Sequence, residues 1–123
     1  MEKEIRNHEN LEIWLNSRLL VSDIYLLSAQ FPKFELYVLT SQMRRAAISV
    51  PSNIAEGAAR KSTKEFIRFL LIASGSLSEL ETQMYLSVDL GYIIKEDVTE
   101  LRRKILILRR QIYATIRSLS ERL

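Results

Sequence analysis

The chain has 123 residues, 47% hydrophobic and 27% charged, with a net charge of +3. That suits one compact domain over 1–123 with a modest core. Three glycines and two prolines leave little material for hairpin turns, which disfavours an all-β fold, and the absence of cysteine excludes disulfides and thiolate chemistry.

The opening "MEKEIRNHEN" is charged and has no apolar signal core, so residues 1–9 are expected to fray. The longest apolar stretch, Phe69 to Ala73, is too short to span a bilayer. A soluble, cytoplasmic protein is expected.

A first helix is predicted from Asn10 to Gln30, with Ile13, Leu20, Ile24 and Leu27 on one side and Trp14, Val21 and Tyr25 beside them. Pro32 turns the chain and disfavours helix at Phe31, so the second helix should begin near Phe34. It presents Leu36, Leu39, Met43, Ala47, Val50 and Ile54 and should end between Ala59 and Lys61. Pro51 interrupts it. A proline there removes one backbone hydrogen bond and crowds the Ala47 carbonyl, at a cost of roughly 3 kcal/mol in a helix interior.

In "STKE", Ser62 stands three residues before Glu65, the spacing of a reciprocal capping box. A third helix follows with the stripe Phe66, Leu70, Ala73, Leu77, Leu80, Met84 and Val88, and Gly91 is placed to stop it. Glu96 and Asp97 suit the positive end of a fourth helix. Its stripe of Val98, Leu101, Ile105, Leu108, Ile112, Ile116 and Leu119 has the spacing of bundle packing. The expected fold is an all-α, antiparallel, up-down-up-down four-helix bundle.

Two features exceed the needs of an isolated bundle. In the third helix Ile67, Leu71 and Tyr85 lie beside the main stripe, while Ser74, Gly75, Ser76 and Ser78 keep it thin. They either serve a second neighbour or widen the core contact. In the fourth, Leu106 and Tyr113 fall outside the stripe among Arg102, Arg109, Arg110 and Arg117. Arginine mixed with aromatic and apolar residues has the composition of a subunit interface. A solvated face with two incidental apolar residues is the alternative.

Charge is uneven. Residues 42 to 69 carry six basic and two acidic groups, and residues 96 to 123 carry seven and four. Aligned in a ring of identical subunits, such patches would multiply their attraction for phosphate. Arg44, Arg45, Lys61, Lys64, Arg109 and Arg110 are the candidate nucleic-acid contacts. No catalytic residue, metal site or cofactor is expected. His8 is the sole histidine, Glu79 and Glu81 point to different sides of one helix, and no Glu-x-x-His pair or Gly-rich phosphate loop is present.

The segments "QMRRAA", "SVPSNIAEG" and "GSLSELET", in that order, together with the upstream "EIWLNSRLLVSDIYLLSAQFP", closely resemble the four-helix-bundle family of 23S rRNA intervening-sequence proteins. The resemblance covers about residues 11 to 94; the last helix shares pattern more than motif. It implies a bacterial, non-enzymatic bundle that assembles into a ring, a homopentamer as in the related accessory proteins of diversity-generating retroelements. Those relatives are basic barrels that bind nucleic acid and a reverse transcriptase. Carried over by position, the motifs single out Arg44, Arg45, Ser49, Pro51, Asn53, Glu56 and Gly57 in the second helix. In the third they single out Gly75, Ser76, Glu79 and Glu81.

Arg45, Ser49, Ser52 and Glu56 share a face away from the apolar stripe, where they can build a polar network between helices or subunits. Pro51 is expected to kink the helix and shape a subunit contact, with Asn53 or a nearby arginine satisfying the Ala47 carbonyl and Ala55, Gly57 and Ala58 permitting close approach. The alternative is a bend around the protein's own core. Two functions fit: an oligomer that binds structured RNA or DNA, with or without a protein partner, and an adaptor oligomer that engages a protein partner and no nucleic acid.

Overall fold

The computed structural model describes residues 11–123. The segment expected to fray at 1–9, with His8, lies outside the described residues. Four α-helices occur among the described residues: α1 (Glu12–Ser28), α2 (Ser41–Ala59), α3 (Thr63–Asp89) and α4 (Lys95–Ser120). No strand occurs among the described residues. Each helix packs on the next, and α4 packs back on α1. This all-α arrangement is consistent with a four-helix bundle.

The core follows the apolar periodicity. Ile13, Leu20, Ile24 and Leu27 of α1 meet Met43, Ala47, Val50 and Ile54 of α2, with Leu70, Leu77 and Met84 of α3 and Ile105, Leu108 and Ile112 of α4, all buried in one cluster. Full burial of each large aliphatic side chain contributes about 1.5–3 kcal/mol. Buried serines do not break the helices, because Ser28 and Ser87 donate to the carbonyls of Ile24 and Gln83 one turn back, at 2.7 and 2.8 Å.

The start of the second helix differs from the sequence expectation. A 3-10 turn, Lys33–Glu35, runs into a π-helical turn, Leu36–Thr40, before the regular α2 begins. A π turn takes up an extra residue, which rotates the residues upstream of it off the core stripe. Leu36, expected inside, is therefore 45% exposed, while Thr40 is buried. The Glu35 carboxylate accepts the Leu39 N–H at 3.3 Å and holds the turn.

At the start of α3 half of the expected capping box forms. Ser62 Oγ accepts the Glu65 N–H at 3.1 Å. The Glu65 carboxylate turns to Arg68, which donates to it at 3.0 and 3.2 Å, because a guanidinium one turn away is a stronger partner than a neutral amide. Gly91 does end the helix. With φ of 80° it lets its own N–H reach the Val88 carbonyl and the Tyr92 N–H reach that of Ser87, both at 2.9 Å.

Helix α2 runs without interruption through Pro51. Asn53 does not reach Ala47. Its amide donates to the Ser49 carbonyl at 2.8 Å and the Ser49 hydroxyl at 2.9 Å, since one turn back is the reach of an asparagine on a helix.

Candidate nucleic-acid interface

The helix seams use much of the charge. Across α1 and α4, Asn16 donates to Gln111 at 2.9 Å and Lys104 to Asp23 at 2.8 Å. These residues, with Leu19, Leu20, Ile107 and Leu108, line a groove of about 230 Å³. Across α3 and α4, Glu81 accepts from Arg102 at 3.1 Å and from Arg109 at 3.2 Å, and Arg109 also lies 3.4 Å from the Ser78 hydroxyl. Ser74 donates to the Tyr113 hydroxyl at 3.2 Å. Arg103 is held by Glu100 at 2.7 Å, and this bond keeps the Glu100 carboxyl below its ordinary value.

The sequence-predicted cations therefore divide. Arg44 donates to Ser28 at 2.8 Å and stacks over the Tyr25 ring at 4.5 Å, tying α2 to α1, and Arg109 ties α4 to α3. Arg45, Lys61, Lys64 and Arg110 are exposed and make no hydrogen bond or ion pair among the described residues. They do not form one cluster. Arg45 lies in the second turn of α2 and Lys61 and Lys64 lie beyond its far end; the helix from Arg45 to Ala59 is about 21 Å long at 1.5 Å per residue.

The corner between α2 and α3 collects cations around one ring. Gly57 is the reason the two helices come close there: a Cβ on it would stand 2.7 Å from Phe69 Cβ and 3.0 Å from the Phe66 ring. Arg60 then lies 5.1 Å and Arg68 4.5 Å from the centre of the Phe69 ring. Glu56 pairs with Arg60 at 2.9 Å. The Arg68 hydrogen bond keeps the Glu65 carboxyl below its ordinary value, with further attraction from Arg60 and Lys64. Sequence reasoning passed over Arg60, Arg68 and Phe69 as site residues. Their signal was present as Phe66 and Phe69, inside and directly after the basic run from Arg60 to Arg68.

The motif residues also separate. Ser49 and Ser76 share a hydrogen bond at 2.8 Å, so two of the three sequence motifs meet where α2 packs on α3. Glu79 takes a long contact from Gln83 at 3.4 Å. A Cβ on Gly75 would meet nothing within 4 Å. Leu106 is half-buried beside Tyr85, and Leu71 and Tyr85 are exposed.

The family model described as 23S rRNA-intervening sequence protein matches residues 9–114. The chain belongs to that family. The match takes in α1, α2, α3 and most of α4, so family likeness extends further into the last helix than its motifs indicate. No curated protein matches the chain. In this family member the motif glycine at 57 and serines at 49 and 76 have internal packing roles. No helix among the described residues is long and apolar enough to cross a membrane.

Proposed function

We propose that this 23S rRNA-intervening sequence protein is a non-enzymatic homo-oligomer that binds structured RNA or DNA through its basic surfaces. The observation that carries the reading is the set of exposed cations with no partner among the described residues: Arg45, Lys61, Lys64 and Arg110. Cations left solvated in this way are available to phosphate.

Assembly is supported by the apolar surface a single chain leaves open, including Leu26 at 74%, Phe34 at 75% and Tyr37 at 89% exposure. A ring, with five subunits as the resemblance implies, would bring several basic surfaces to one ligand. The antiparallel order of the bundle is supported by the seam between α1 and α4. Seven residues forward on α1, from Asn16 to Asp23, correspond to seven residues back on α4, from Gln111 to Lys104.

The second reading, a cytoplasmic adaptor oligomer that engages a protein partner, draws on Arg44 and Arg109, which are engaged inside the bundle. Titrating a structured RNA and a duplex DNA onto the wild-type oligomer at low and physiological salt separates the two. Binding that weakens steeply with salt is expected for phosphate contacts, because each neutralised phosphate releases counterions. An intact oligomer that binds neither at low salt overturns the nucleic-acid reading in favour of the adaptor.

A further inference from the structure

We propose that the corner between α2 and α3 is the phosphate site of this protein and that its ligand is the phosphodiester backbone of structured nucleic acid. The inference rests on the nucleic-acid reading above and adds the place where the ligand sits.

Four of the five basic groups between Arg102 and Arg110 on α4 are held by fixed partners. Glu81 holds Arg102 and Arg109, Glu100 holds Arg103, and Asp23 holds Lys104. The corner is different. Between residues 56 and 68 the four basic groups Arg60, Lys61, Lys64 and Arg68 outnumber the acidic Glu56 and Glu65, which pair with Arg60 and Arg68. The cations also converge: both guanidiniums lie against Phe69, and Arg60, Lys64 and Arg68 all act on the Glu65 carboxylate.

Holding like charges together is unfavourable until an anion enters among them. Here the apolar support of Phe69 and the close helix approach at Gly57 fix two of the cations before any ligand arrives. Such preorganisation lowers the ordering cost of binding. Lys61 and Lys64 remain mobile point charges for adjacent phosphates. The first turn of α3 adds its partial positive charge on the same side as Lys64.

The corner also sets what is recognised. Phe69 is only 9% exposed and both arginines lie on it, so no ring face is open for a base to stack on. Contact is to the backbone, and little dependence on base sequence follows.

The test compares wild type, Lys61→Glu with Lys64→Glu, and Arg45→Glu with Arg110→Glu, each checked for helix content and native mass, against a hairpin RNA and a duplex DNA across a salt series. Alanine at 61 and 64 provides a milder variant. The corner reversal is expected to weaken binding at least about tenfold and to flatten the log–log salt slope on duplex DNA by about 2, the change for two lost phosphate contacts. Arg45→Glu with Arg110→Glu reverses the same amount of charge elsewhere and should weaken binding less than the corner reversal. Wild-type affinity in the corner variants with loss in Arg45→Glu, Arg110→Glu overturns this placement and leaves nucleic-acid binding standing. Failure of the intact wild type to bind either probe removes both.

Discussion

At the residue scale, the glycines of this protein are chemically identical and structurally unlike. Gly57 has no room for a methyl group: its Cβ would stand 2.7 Å from Phe69 Cβ, an atom fixed to the backbone of α3. Alanine there must push the helices apart, which costs typically 1–3 kcal/mol in a packed interior, more than the roughly 1 kcal/mol gained from better helix propensity. Gly75 lies mid-helix with open space around its missing Cβ. Alanine there keeps the propensity gain, so Gly75→Ala should raise the urea midpoint of the isolated chain and Gly57→Ala lower it. Equal midpoints would show that α2 and α3 accommodate the methyl group without cost. Gly57→Ala would also move Arg60 relative to Phe69, so its effect reaches the cationic corner.

At the scale of elements, the apolar stripes were legible because each is set by local helical spacing, and the residues from Met43 to Ile54 and from Phe66 to Met84 that the spacing selects are buried. The π turn at Leu36–Thr40 was not legible, since "LYVLT" has no breaker and its apolar residues keep a helical rhythm. Nor was the link that secures it. Tyr92, in the connection after α3, donates its hydroxyl to Glu35 at 2.6 Å and packs on Phe31 with rings 5.4 Å apart, a contact between positions remote in sequence. The cation placements failed to show in sequence for the same reason: Arg44 and Arg109 find partners on other helices. The bond to Glu35, with burial and the nearby carboxylate charge adding to it, raises the Tyr92 phenol above its ordinary value of 10.0. A phenol whose folded pKa lies above its unfolded one contributes stability that is complete below about pH 10 and lost as pH rises through the folded value. Tyr92→Phe should therefore lower thermal stability at neutral pH and flatten the alkaline limb of the stability curve. An unchanged limb would show that the bond is too solvated to couple to folding.

At the scale of the whole molecule, one chain leaves apolar surface exposed and keeps a proline where its own helix does not require one. Phe34, Tyr37 and Val38 project from the irregular segment before α2, and Leu90 and Ile94 project from the connection after α3. Tyr92 joins these two regions, so they lie at one end of the molecule. Contacts made by such side chains are insensitive to screening, whereas phosphate contacts are not. Native mass should therefore stay a fixed multiple of 14.3 kDa as salt rises, while nucleic-acid affinity falls. Pro51 offers a test of the proposed subunit contact. It leaves the Ala47 carbonyl without its helical donor, and Asn53 is spent on Ser49. Alanine would restore that backbone bond and favour helix, so the folded chain loses nothing by the change. If the proline is kept for the bend it gives a subunit surface, Pro51→Ala should preserve or raise helix content while shifting native mass toward smaller species. Light scattering behind size exclusion, with circular dichroism on the same fractions, measures both. Loss of helicity with native mass intact would place the role of Pro51 inside the bundle and detach it from assembly.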